Sequence, residues 1–255
     1  TRKQILGIID ELVYTPNRVA TLLALNKTFE IAALIPDSSN NNPYWEKPLI
    51  GIEQASREIK DFNSSVRIFT FDFTSEVSFK AAFESLLNEK PDGLVFSPIF
   101  FDASLDIVRQ CNESGIPYVF IDVNIDGCEN LAYFGQNAEQ SGFLAARLMH
   151  YMLPYESRIL LIKAVSKEGV LHHLLKREKG FLSFFYSEAN QKKILTNSIE
   201  LDITSGRNED LNFSDILGKY DRVDGIFVLN SRVFKVAQFL TKAEISNILL
   251  MGYDL

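Results

Sequence analysis

Only two of the 255 residues are cysteine, Cys111 and Cys128, and only one is tryptophan. The two thiols fit neither a metal-ligand pair nor a redox motif, and they do not suggest a disulfide framework. They are expected as small, partly buried side chains of a protein in a reducing cytoplasm. No apolar run approaches the roughly 18 residues needed to span a membrane, and the opening TRKQILGIID lacks the charged, apolar, small-residue order of a signal peptide. Positive charge is in deficit too: 26 Lys and Arg against 33 Asp and Glu leave a net charge of -7, which argues against a nucleic-acid surface spread over the whole molecule.

Catalytic signatures are missing as well. There is no glycine-rich dinucleotide loop after a strand, no phosphate loop and no G-x-S-x-G elbow. His172 and His173 are adjacent, so they point in different directions and cannot form the i, i+4 pair of a helical zinc site; they read as polar residues of a surface helix. Nothing calls for a metal or a cofactor, and catalysis has no support.

What is present is alternation. IAALIP (31–36), VRIFTF (66–71), GLVFS (93–97) and PYVFID (117–122) are nearly uncharged and read as buried strands, with helical patterns near 46–60, 76–89 and 102–113. A second series follows, with strands at 158–163, 194–201, 225–230 and 248–252 and helices near 138–152, 170–188, 209–219 and 231–242. Continuous apolar strands between amphipathic helices specify parallel sheets covered on both faces. The fold class is therefore α/β, with two doubly wound lobes: residues 29–135, and residues 136–255 read as a truncated second lobe, because the closing MGYDL follows a strand with no helix to cover it. Open sheets of this kind take ligands at the carboxyl ends of their strands.

Residues 1–28 differ from the rest. They carry Arg2, Lys3, Arg18 and Lys27 against Asp10 and Glu11, and Asn17 to Leu25 predict a helix of about two turns with Asn17 as N-cap. So short a helix needs an outside surface to hold it.

The run TRKQILGIIDELVYTPNRVATLLALNKT resembles the last headpiece helix, the Y-x-P-N turn and the hinge helix of the lactose-repressor type of bacterial transcription regulators. Thr1 and Gln4 fit a capping box there. The resemblance implies a core with the fold of periplasmic sugar-binding proteins, homodimers, and a hinge in which Tyr14, Asn17, Ala20 and Leu23 serve operator DNA, Leu23 wedging into the minor groove. Thr21 stands where the family usually has arginine, and Val13 where it has glycine.

For the core, the resemblance implies a small sugar-like effector. SSNNNPYW gives Asn42, Tyr44 and Trp45; strand ends give Ser97, Asp122, Asn230 and Asp254; the lobe crossover gives Asn137; and KREKGF, matching R-x-x-G-F, gives Arg177. Gln136 replaces the aspartate often found before Asn137. The expected activity is ligand-controlled DNA binding, as a repressor, without a membrane partner. A sugar-binding protein of a periplasmic transport system would share every core feature, and an enzyme is the third class.

Overall fold

The computed structural model describes residues 28–38, 43–165, 172–187, 192–202, 213 and 215–253. They form two compact units that meet in the chain between Phe134 and Gly135.

In the first unit, strands β1 (Phe29–Pro36), β2 (Ser64–Phe71), β3 (Gly93–Phe96), β4 (Tyr118–Ile121) and β5 (Ala132–Phe134) make one parallel sheet in the order β2-β1-β3-β4-β5. Helices α1 (Glu46–Glu58), α2 (Glu76–Asn88) and α3 (Phe101–Ser114) connect them. β1 is central, with Ala33 opposite both Ile68 of β2 and Val95 of β3. Ala32, Ala33, Leu34 and Ile35 are accordingly all buried, which is why this strand reads as an unbroken apolar run. The helix ends follow local chemistry. Ser75 accepts a hydrogen bond from the Ser78 amide to open α2, and Gly115, at φ 67°, supplies the left-handed residue that closes α3.

In the second unit, β6 (Arg158–Val165), β7 (Leu195–Asp202), β8 (Gly225–Val228) and β9 (Leu249–Met251) pair in parallel in the order β7-β6-β8-β9. Helices α4 (Ala138–Met152), α5 (His172–Tyr186) and α6 (Val233–Lys242) accompany them. Alternation along β6 divides the core in two. Ile159 and Leu161 face the layer of Ala146 and Met149 from α4 and Leu174 and Phe181 from α5. Leu160 and Ile162 face the layer of Val233, Val236 and Leu240 from α6. In both sheets the chain reverses direction beside the first strand, between β1 and β3 and between β6 and β8. That is the topological switch point where open α/β sheets bind ligands.

One packing joint sets the position of α5. A β-carbon added at Gly142 would lie 2.0 Å from the Arg177 carbonyl oxygen, and one at Gly180 would lie 1.9 Å from the Glu139 carbonyl oxygen. The two helices touch backbone to backbone, each through the other's glycine, an approach that no residue with a β-carbon permits. Phe181, next to the joint, stacks on Phe227 of β8 with ring centres 4.8 Å apart and 15° between planes.

Candidate functional site

The hinge residues Tyr14, Asn17, Ala20 and Leu23, and the ligand residues Asn42 and Asp254, lie outside the described residues. The other candidates gather at the carboxyl ends of the two sheets, and each unit holds its own group.

In the first unit, Tyr44 sits in a 3-10 turn (Pro43–Trp45) ahead of α1, and Asp122 is the residue after β4. The Tyr44 hydroxyl donates to Asp122 Oδ1 at 2.7 Å, tying two loops at the sheet's carboxyl edge. Asp122 has the left-handed φ of 65°, rare for a residue with a side chain. The backbone holds it there: its amide donates to the Phe134 carbonyl at 2.9 Å, and its carbonyl accepts from the Tyr133 hydroxyl at 2.9 Å. Ser97 follows β3 and is fully buried. Its Oγ has no hydrogen-bond partner among the described residues, so its hydroxyl lies beneath the edge and is not offered to solvent.

Trp45 corrects the sequence reading. Ligand contact and core packing at the start of the following helix are equally open to it in the sequence, but as a ligand residue it fails: the indole is 1 % exposed, and Tyr44 stands edge-on to it at 5.3 Å. The cause is amphipathic placement at the start of α1, where burying a large ring gains more than presenting it. Tyr44, half exposed, is the aromatic residue that this loop offers.

In the second unit Arg177 is the centre. It lies in the second turn of α5, and Nη1 donates to the carbonyl of Leu229, the residue after β8, at 2.7 Å. Nη2 donates to Gln136 Oε1 at 2.8 Å, and the guanidinium carbon lies 3.9 Å from the centre of the Tyr253 ring. Asn230 spans the switch point, its amide donating to the Ala164 carbonyl of β6 at 2.8 Å. Asn137 is the N-cap of α4 and accepts from the Gln140 amide at 3.0 Å. Beside them is an open hollow of about 500 Å³ lined by Gln136, Asn137, Gln140, Ser141, Phe143 and Leu144. Of the expected ligand residues only Asn137 lines it; its amides, hydroxyl and aromatic edge can meet a polyhydroxylated ligand, whose rim takes hydrogen bonds while its ring C–H groups pack on carbon, and Arg177 stands beside it through Gln136.

Comparison with known proteins bears on this arrangement. Residues 31–255 match the periplasmic binding protein domain. The chain belongs to that family. Among curated relatives, the catabolite control protein A of Staphylococcus xylosus is 31% identical over 124 residues, which is 49% of this chain and 35% of that protein. This chain thus spans about a third of the length of that relative. A solved structure assigned to the LacI transcriptional regulators of Bacteroides fragilis superposes with a TM-score of 0.74 at 28% identity, covering 90% of this chain and 78% of that one. A glucose-galactose binding protein from Geobacillus stearothermophilus superposes with a TM-score of 0.70 at 16% identity, over 90% of this chain and 79% of that one, a likeness of fold alone. The resemblance to lactose-repressor-type regulators is thus met by a curated relative and a solved structure, while the binding protein shares the fold.

Some features of the family core here could not be seen beforehand. Tyr253 and Ser141 carry no local signal; a tyrosine after a strand gives no sign of the arginine it will meet. The histidine pair needs correction. His172 is exposed, but His173, one helical turn before Arg177, is partly enclosed, and burial followed by the nearby Arg177 charge pushes its pKa down to about 3. Adjacency shows only that two side chains diverge, and here one diverges inward. Lys163, on β6, is likewise enclosed. Burial opposes its charge, but hydrogen bonds and charges from Glu178 at 2.9 Å and Glu200 at 3.4 Å outweigh that and raise its pKa. Among the described residues no group of His, Cys, Asp and Glu could hold a metal ion, and no helix is long and apolar enough to cross a membrane.

Proposed function

We propose that this chain is the effector-binding part of a cytoplasmic, homodimeric transcription regulator, a repressor, whose effector is a small sugar-like molecule. The observation that carries the reading is Arg177: a guanidinium fixed at the carboxyl edge of a sheet, next to a switch point, among neutral hydrogen-bonding groups. The regulator half of the reading is supported by the staphylococcal relative and the Bacteroides structure. Arg177, Asn137, Asn230 and Asp254 in one unit, and Asn42, Tyr44 and Asp122 in the other, are the residues assigned to the effector; Ser97, sealed beneath the sheet edge, is not. Tyr14, Asn17, Ala20 and Leu23 are assigned to the hinge on operator DNA. Effector acts through its differential affinity for the DNA-competent and DNA-incompetent states; equal affinity would shift nothing.

The test uses the full-length protein. Its melting temperature is followed against rising D-glucose, D-galactose, L-arabinose, D-ribose, D-glucuronate and D-gluconate. One of these should stabilise saturably, by about 2.7 kcal/mol at a hundred times its Kd. Arg177→Ala should remove that shift while circular dichroism stays unchanged. Footprinting on the DNA upstream of its own reading frame, with and without that sugar, should show protection that the sugar alters. A sugar-dependent shift with no protection on any upstream DNA favours the transport-protein reading, conversion of the sugar favours an enzyme, and the absence of any shift refutes the effector class.

A further inference from the structure

The reading of Arg177 as an effector ligand leaves open what aims it. A guanidinium sits at the end of a long, freely rotating stem and is useful for recognition only if its plane is fixed before the ligand arrives. Two of its nitrogens are held in that plane by the Leu229 carbonyl and the Gln136 amide oxygen. Two in-plane bonds still permit a rocking motion about the line joining them. The Tyr253 ring, 3.9 Å from the guanidinium carbon, opposes that motion from one side.

The ring is itself fixed. Its hydroxyl lies 2.8 Å from Ser141 Oγ, and its ring centre lies 5.8 Å from that of Phe227. Ser141 Oγ also lies 3.0 Å from the Ala138 carbonyl in the first turn of α4. A carbonyl can only accept and a serine hydroxyl has one proton, so that proton goes to Ala138 and the tyrosine hydroxyl is the donor to Ser141. Burial raises the phenol pKa, partly offset by the Ser141 hydrogen bond and the Arg177 charge, so the proton that makes this bond stays in place at neutral pH. The result is a relay from the start of α4 through Ser141 and Tyr253 to Arg177.

We infer that Tyr253 is the positioning residue for Arg177: its ring fixes the plane of the guanidinium, and Ser141 fixes the ring. Tyr253→Phe keeps the ring and loses the hydroxyl; Tyr253→Leu loses the ring. In the full-length protein without ligand, the Arg177 side-chain N–H resonances should be shifted upfield by the ring and resolved from one another. They should remain so in Tyr253→Phe and lose the upfield shift and merge in Tyr253→Leu. With D-glucuronate and D-galactose as probes, Tyr253→Leu should weaken the probe that binds about 10-fold or more, and Tyr253→Phe no more than about 3-fold, in keeping with a partly desolvated cation–π contact. In an Arg177→Ala background, with whatever residual binding remains read at high probe concentration, Tyr253→Leu should have no further effect on affinity.

Wild-type Arg177 resonances in Tyr253→Leu, or an equal loss of affinity with and without Arg177, would overturn the inference. Should Arg177→Ala bind as well as wild type, or none of the six sugars bind, the effector reading fails instead, and the ligand-free resonances still decide whether Tyr253 positions Arg177.

Discussion

Replacing Gly180 with alanine sets two effects against each other, and the structure says which wins. In the interior of a helix the exchange favours folding by about 1 kcal/mol, because glycine loses more backbone freedom. At Gly180 the new β-carbon would sit 1.9 Å from the Glu139 carbonyl oxygen, where ordinary contact begins near 3.4 Å. The obstacle is helix backbone and cannot rotate away, so α4 and α5 must part by roughly 1.5 Å. A gap of that size forfeits more than half the dispersion energy of each contact along the seam. Overpacking costs about 1–3 kcal/mol where the surroundings yield, and here they yield little. The net expectation is a loss of at least about 2 kcal/mol, measured by urea unfolding followed by circular dichroism. Gly142→Ala, whose β-carbon meets the Arg177 carbonyl at 2.0 Å, should behave alike, and the double variant should lose less than the sum because one separation relieves both clashes. Gly51, in α1, has no atom within 4 Å of a built β-carbon, so Gly51→Ala should stabilise by about 0.5–1 kcal/mol. A Gly180→Ala protein as stable as Gly51→Ala would refute the reasoning.

Two further outcomes follow from the site. His173 has a folded-state pKa of about 3 against an ordinary 6.5, so between those values the unfolded chain binds a proton that the folded chain refuses. Its share of stability is therefore complete above pH 6.5 and lost as pH falls toward 3, by up to about 1.4 kcal/mol per pH unit. Urea midpoints measured from pH 7.5 to 4 should fall less steeply in His173→Gln than in wild type; parallel slopes would count against an enclosed imidazole. Asn137→Ala should cost about 1 kcal/mol through loss of the α4 cap, whereas Asn137→Asp keeps the acceptor at a helix N-terminus and should stay within about 0.5 kcal/mol of wild type. A sugar-dependent melting shift unchanged in Asn137→Asp would leave that residue a cap and nothing more.

The strands were legible in the sequence because both faces of these sheets are covered. β1 and β8 need no alternating polar residue, and an uncharged apolar run betrays them. The helices were legible for the opposite reason, since each has a wet side. What stayed hidden depends on distance in space between residues far apart in the chain. Trp45 and Tyr44 are neighbours with similar chemistry, and nothing local decides which one turns inward; the start of α1 decides it by burying the larger ring. Asp122 was visible as a strand end, but its left-handed backbone, held by Tyr133 and Phe134, was not.

The R-x-x-G-F run, proposed for binding, carries packing information too. Arg177 reaches the carboxyl edge of the sheet, Gly180 lets the backbone of α5 rest on that of α4, and Phe181 stacks on β8. These are three consequences of one helix position, because the Arg177 carbonyl is itself the atom that Gly142 accommodates. Moving α5 outward to make room for a β-carbon would carry the stem of Arg177 away from Leu229 and Gln136, whose hydrogen bonds at 2.7 and 2.8 Å have no slack to follow. The glycines at 142 and 180 thus bear on where the Arg177 guanidinium sits. Substitution at either should weaken effector binding in proportion to the separation it forces, whereas a stability loss in the other core layer of the second unit, such as Val236→Ala in α6, should leave the guanidinium where it is.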